Sequence, residues 1–319
     1  MSIITIRHVT TYKYRHPVAF GKHRLMLRPR DDEDQKVLKA DIEITPAPAD
    51  LTWAVDRFGN HVAMAHFAAR ASELRFESNI RLNHVPAELR ETDIQHFAHA
   101  FPFAYSTARI SDLAHFMSPR SLHPQLDRWA SEFLRKDGSA NTLELLGNVT
   151  RTINTSFKHE VRHEKGIQHP LRTLTLWTGC CRDLAVLMIA ALRSLGIAAR
   201  FVSGYLHVSD DHEDDDAVGG NTHAWVQAYL PGPGWVDLDP SSGVVGNRRH
   251  VRVAVVQEPH EAIPLQGTWV GAKSDCLGMS VTVKVRCYAE QDDATSDRCR
   301  RGTMDAASSE RDSDPPRFA

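Results

Sequence analysis

The sequence predicts an α+β protein: an antiparallel β domain over residues 1–88, a core of mixed helices and strands over 89–288, and a disordered tail over 289–319. Three observations carry this expectation. The first third alternates apolar and polar residues in short runs, as half-buried strands do. The middle contains a clear helical stripe, Leu184, Leu187, Met188, Ala191, Leu192 and Leu195, closed by Gly196, a residue suited to a helix C-terminus. From about Ala289 onward large apolar residues nearly vanish and Asp, Ser, Arg and Pro dominate, a composition with too little apolar surface to order itself.

The elements follow in order. Ile4–Arg7 and Tyr12–Tyr14 alternate, and similar runs occur at Arg24–Leu27, Val37–Ile44, Thr52–Val55, His61–Phe67 and Leu74–Ile80. The breaks between them, Pro29-Arg30-Asp31-Asp32, Pro46-Ala47-Pro48 and Phe58-Gly59-Asn60, carry turn chemistry, so the strands are expected to pair antiparallel. Composition shifts after Val85-Pro86. Helical spacing is expected at Ile110–Met117, Pro124–Leu134 and Asn141–Phe157, ahead of the Leu184–Leu195 helix. Strands are expected at Arg200–Leu206, Ala224–Leu230, Trp235–Leu238, Val251–Val256 and Met279–Cys287.

The 319 residues suit about two domains. Lys and Arg total 38 against 40 Asp and Glu, a formal charge of -2, without the basic excess of a nucleic-acid binder, so no nucleic-acid partner is expected. No run approaches the ~20 apolar residues of a membrane span, and no membrane partner is expected. The N-terminal segment lacks a signal-peptide pattern. Five cysteines, two of them adjacent, make a poor disulfide framework; free thiols and a cytoplasmic location are the expectation.

The chemistry concentrates at Thr178-Gly179-Cys180-Cys181-Arg182-Asp183, just before the clearest helix. A cysteine at a helix start sits among unpaired N–H groups at the positive end of the dipole, which favours its nucleophilic thiolate. Gly179 permits a sharp turn. A nucleophile needs a base, and the base needs an orienting group. His223 opens one expected strand and Asp239 closes the next; if these strands are neighbours, the two side chains lie side by side. Trp177 and Trp225 stand close in sequence to this pair, either as walls of a cleft or as core. Gln168 is a candidate oxyanion donor, and Asp183 reads as a helix cap.

Other patterns compete. His159-Glu160-Val161-Arg162-His163 fits a zinc-protease motif, but such a motif needs a helix, and Gly166 and Pro170 follow closely. No metal or cofactor is expected. The acidic run Asp210–Asp216 reads as a solvated loop, with a favourable bias toward basic substrates as its functional alternative.

These residues resemble the bacterial transglutaminase-like family, part of the papain-like Cys-His-Asp superfamily. The likeness lies in Gly179-Cys180-Cys181-Arg182-Asp183, Leu195–Tyr205, His223-Ala224-Trp225, Gly234-Trp235 and Asp239-Pro240-Ser241-Ser242-Gly243. Weaker matches to the family's accessory β domain are Leu27-Arg28-Pro29-Arg30 and Asp56-Arg57-Phe58-Gly59-Asn60. The resemblance implies a papain-like core, a helix with Cys at its N-terminus packed on an antiparallel sheet. It implies Cys181 as nucleophile, His223 as base and Asp239 as orienter, with Cys180 at a variable position. It further implies acyl transfer on amide bonds of a protein or peptide substrate, through a thioester resolved by water or an amine. A different class of function, a catalytically silent module of this family that binds proteins, is the alternative.

Overall fold

A computed structural model of the chain describes residues 2–85, 88–118, 123–160, 166–207, 222–247 and 249–289. The chain opens with β1 (Ser2–Leu25), β2 (Gln35–Thr45), β3 (Asp50–Val55), β4 (His61–His66) and β5 (Arg70–His84). There follow β6 (Ala100–Phe101), α1 (Thr107–Met117), α2 (Pro124–Ser131), β7 (Ala140–Asn141), α3 (Thr142–Ser156), β8 (Lys158–His159), α4 (Pro170–Leu176), β9 (Thr178–Gly179) and α5 (Cys181–Ser194). The rest is β-structure: β10 (Ala199–Leu206), β11 (Thr222–Leu230), β12 (Gly234–Asp239), β13 (Val244–Val245), β14 (His250–Val256), β15 (Leu265–Val270) and β16 (Cys276–Ala289). The fold is α+β, as the sequence predicts. The tail expected to be disordered lies outside the described residues, apart from Ala289.

The first sheet runs β2-β5-β1-β4-β3, with β15 and β16 also paired to β1, all antiparallel. Alternation marked three separate runs between Ile4 and Leu27, yet Ser2–Leu25 is one strand. Its first half pairs with β5 and β16, and its second half with β4 and β15. The ladder to β5 breaks between Lys13 and Val18, where Pro17 has no N–H to donate. The sequence reading places Val251–Val256 and Met279–Cys287 with the core; the first is β14 of the second sheet, but the second, within β16, pairs with β1, as does β15, which the sequence reading does not mark, because pairing partners far apart in sequence leave no trace in local alternation. Ile4, Ile6, Ile80, Leu82, Val283 and Val285 form its inner face and pack on Tyr205, Val251 and Val253 of the second sheet.

The second sheet, β13-β12-β11-β10-β14, is antiparallel. Helix α5 lies on it. The predicted stripe Leu184, Leu187, Met188, Ala191 and Leu192 is buried, but so are Ala185, Val186, Ile189 and Ala190. A helix apolar on nearly every side is a central one. It packs on Ala224, Val226, Ala228 and Leu238 beneath and joins Leu126, Leu145, Leu146 and Leu174 of α2, α3 and α4. The two-residue pairs β6/β7 and β8/β9 tie loops to this core; the second pair is parallel.

Polar side chains join the two sheets. Strand β14 is an edge, and two amides from the N-terminal region complete its ladder. Asn60 accepts from Val255 N (2.9 Å) and donates to Val255 O (2.8 Å); Gln35 does the same with Arg252 (2.8 Å each). Asp56 holds the Asn60 turn by accepting from Phe58 N and Asn60 N (2.9 Å each), and Arg30 donates to Phe58 O (2.7 Å). Among the described residues no helix is long and apolar enough to cross a membrane.

Candidate active site

The site is built from the start of α5 outward. Cys180 is the N-cap residue and Cys181 the first helical one. Asp183, wholly buried in the first turn, reaches back: Oδ2 accepts from Cys180 N (3.0 Å) and from the Cys180 thiol (3.1 Å), and Oδ1 accepts from Gln168 N (2.7 Å). An acid here satisfies orphan N–H groups and complements the dipole. Gly179 is required by this closeness, since a Cβ there would stand 2.8 Å from Asp183 Cβ. The motif Gly-Cys-Cys-Arg-Asp therefore works as one locked turn. It holds the two thiols in different settings, Cys180 on Asp183 and Cys181 among imidazoles.

His223 and Asp239 meet through the sheet register. Strands β11 and β12 pair antiparallel with Val226 opposite Leu238 and Gln227 opposite Asp237. Side chains alternate, so Ala224, Val226, Ala228, Val236 and Leu238 join the apolar cluster with α5, while His223, Trp225, Gln227, Asp237 and Asp239 share the other face. His223 and Asp239 are diagonal neighbours on that face, within reach of each other. Nε2 of His223 lies 2.9 Å from Asp239 Oδ2. Gly204 sits opposite His223 on β10, and a Cβ there would strike Val251 O at 1.9 Å and Trp225 at 2.9 Å.

Asp239 is buried and heavily solvated by protein donors. Oδ2 accepts from His223, from His250 Nε2 (3.1 Å) and from Ser242 Oγ (2.6 Å); Oδ1 accepts from Ser241 N (2.9 Å) and Ser241 Oγ (2.7 Å). Burial alone would raise its pKa, but the two histidines hold it far below the usual carboxylate range. Burial likewise opposes the charge on His223, yet the hydrogen bonds to Asp239 and Cys181 push its pKa up to about 10. With Nε2 engaged by Asp239, Nδ1 is the nitrogen left for sulfur. Burial raises the Cys181 thiol, and hydrogen bonds from His159, His223 and Ala224 N outweigh it, bringing the pKa down to about 6. Cys180 moves the other way, raised by burial and by the neighbouring Asp183 carboxylate.

The remaining sequence candidates fall as follows. Trp225 is wholly buried behind His223, its ring 6.0 Å from the imidazole and nearly parallel, and its Nε1 donates to Asp237 Oδ1 (2.7 Å). It is a floor for the histidine rather than a surface wall of a cleft. Arg252 then links Asp237 Oδ2 (2.6 Å) to Asp34 and Asp32 of the N-terminal region. Trp177 stands about half exposed at the end of α4, its ring tilted against Phe157 with centroids 4.7 Å apart. Gln168, the candidate oxyanion donor, directs its amide to Thr173 Oγ1 (3.1 Å) and Thr178 O (3.0 Å). His163 of the zinc-like motif and the acidic segment 210–216 lie outside the described residues. His159 lies on strand β8, not on a helix.

Two histidines at the site escaped the sequence reading in these roles. The pairing of β8 with β9 sets His159 opposite Gly179, close to Cys181, and each of the two side chains shifts the other's titration. His250 arrives on β14, at the far edge of the sheet, and nothing local in the sequence marks it. His223, Asp239 and His250 each offer one ligand atom within 4.8 Å of the others, the one such group among the described residues able to hold a metal ion. Here both histidine Nε2 atoms hydrogen-bond to Asp239 Oδ2.

Comparison with known proteins agrees with this architecture. Residues 4–83 match the family model described as the bacterial transglutaminase-like N-terminal region, and residues 129–240 match that of the transglutaminase-like superfamily. An uncharacterized protein of Mycobacterium leprae is 26% identical over 277 residues, covering 86% of this chain and 96% of its own. One of Mycobacterium tuberculosis is 27% identical over 292 residues, covering 87% and 91%. A crystal structure from Cytophaga hutchinsonii, named provisionally as a cysteine protease, superposes with a TM-score of 0.62 at 18% identity over 91% of each chain, which shows a shared fold. By its matched regions and its fold, the chain belongs to the transglutaminase-like superfamily, carrying that family's bacterial N-terminal region ahead of the core.

Proposed function

We propose that the chain is a cysteine-dependent acyl-transfer enzyme acting on amide bonds of a protein or peptide. The observation that carries this reading is the continuous chain from the Cys181 sulfur through His223 to the buried Asp239, built on three separate elements. A thiol brought down to about 6 beside an imidazole brought up to about 10 rests as an ion pair near neutrality.

In this mechanism the Cys181 thiolate attacks the amide carbonyl. The backbone N–H of Cys181, at the helix start, faces the developing oxyanion. Collapse expels the amine, which takes the proton from His223. The acyl group is then a thioester on Cys181. Water or a second amine attacks it, His223 accepts the incoming proton, and the thiolate returns. Asp239 keeps the imidazole in the required orientation throughout. Thiolate chemistry and the free cysteines among the described residues suit a reducing, cytoplasmic setting.

The test needs no known substrate. Iodoacetamide at mildly acidic pH should label Cys181 far faster than the exposed Cys276, and the advantage should vanish in His223→Ala. Wild-type enzyme mixed with activated esters and glutamine peptides should yield an acyl adduct on Cys181 by mass spectrometry. Labelling of Cys181 no faster than Cys276, together with no adduct, would sink the proposal.

A further inference from the structure

We propose that His159 is a second catalytic imidazole, which donates a hydrogen bond to the Cys181 thiolate beside His223 and shares in holding it charged. The inference rests on the reading of Cys181 as the nucleophile.

The placement of His159 is built rather than accidental. Both of its neighbours in the chain are pinned. Lys158 N donates to Trp177 O (2.8 Å), and Glu160 N donates to Gly179 O (3.0 Å). The Thr178 hydroxyl adds bonds to Lys158 O (3.0 Å) and Glu160 Oε2 (3.1 Å). Together they hold His159 opposite Gly179, two residues before the nucleophile, in a parallel pair of only two residues on each side. An isolated pair this short is marginal by itself, and in this chain it sets His159 beside the start of α5.

Charges around His159 favour the donor role. The groups that act on it among the described residues are Cys181 on α5, His223 on β11 and Asp239 on β12. On its own strand, Lys158 and Glu160 form an ion pair with each other. The hydrogen bond with the Cys181 sulfur raises the His159 pKa against burial, and the His223 charge restrains it. While His223 carries the proton of the resting ion pair, His159 therefore gives the sulfur an N–H without needing a second positive charge. His159 is exposed, whereas the His223 side chain is only 12% exposed.

The experiment uses the full chain as wild type, His159→Ala, His159→Phe, His159→Gln and His223→Ala. Each is checked for fold by circular dichroism, and the alkylation rate at Cys181 is followed by peptide mapping from pH 5 to 9. The wild-type rate should rise with a midpoint near 6. Loss of one charge-assisted donor should displace the His159→Ala and His159→Phe profiles upward by about one pH unit, roughly a fivefold loss of rate at pH 6. His159→Gln, which keeps an N–H donor, should lie between. Profiles of His159→Ala and His159→Phe that superpose on wild type, with His223→Ala displaced, would overturn the role of His159 and leave the Cys181–His223 pair standing. An undisplaced His223→Ala profile would overturn that pair and the inference with it. His159→Phe decides the question if His159→Ala fails to fold.

Discussion

Replacing Asp239 by Asn changes one oxygen for an NH2 group and nothing in volume, so its consequences follow from hydrogen bonds and charge alone. Donors converge on both oxygens: His223, His250 and Ser242 on Oδ2, and Ser241 N and Oγ on Oδ1. An amide placed either way turns its NH2 toward at least one N–H, on the histidines or on Ser241 N. The site is almost fully buried, so solvent offers little screening. Breaking such a pair costs on the order of 3–5 kcal/mol. The sign of the pH dependence follows from the depressed pKa of Asp239: its contribution is present above the unfolded value near 4 and is lost as pH falls toward the folded value. Urea melts of wild type and Asp239→Asn should therefore differ by a constant amount from pH 8 to about 5 and converge below pH 4. Deprived of its carboxylate, His223 falls from about 10, and the Cys181 thiol rises from about 6. Alkylation of Cys181 at pH 7 should drop on the order of tenfold or more. An Asp239→Asn protein within about 1 kcal/mol of wild type, with Cys181 labelling unchanged, would refute this account of the carboxylate.

Three further outcomes are expected. Leu187→Ala removes a wholly buried side chain from the middle of α5 and should cost about 2–5 kcal/mol in denaturant melts, with no change in the pH profile of Cys181 labelling. Cys180→Ala should leave Cys181 alkylation intact, because the Cys180 thiol is turned to Asp183 and raised rather than lowered; a large drop in Cys181 labelling would contradict the separation of the two thiols. Asn60→Ala strips both backbone partners from Val255 at the sheet edge and should cost about 1–3 kcal/mol for each orphaned group, seen as faster hydrogen exchange across Val253–Val256.

Much of the site was legible in the sequence because its chemistry is local. Gly179, Cys180, Cys181 and Asp183 fall within one helical turn, and the physics of a helix start explains each. His223 and Asp239 were legible as ends of two alternating strands separated by the short turn before Gly234. His250 was not, since β14 reaches the site only through β10, at the opposite edge from β12. His159 sat inside a motif that suggested zinc; its place beside the start of α5 depends on a two-residue parallel pair too short to leave a pattern. Gln168 is a candidate oxyanion donor by type, and only the positions of Thr173 and Thr178 show where its amide is directed.

The sequence by itself determined the elements and their chemistry: period-2 runs for the first sheet, a 3.6-period stripe for α5, a cysteine at its start, and the histidine and aspartate at strand ends. These are properties of residues near one another in the chain, where propensity and periodicity act. Tertiary structure alone decided that β15 and β16 close the first sheet, that Asn60 and Gln35 complete the edge of the second, that His159 comes beside the start of α5, and that His250 meets Asp239. Those outcomes turn on which distant backbones find each other's hydrogen-bonding groups, a choice settled by burial of the whole chain and invisible to any local window.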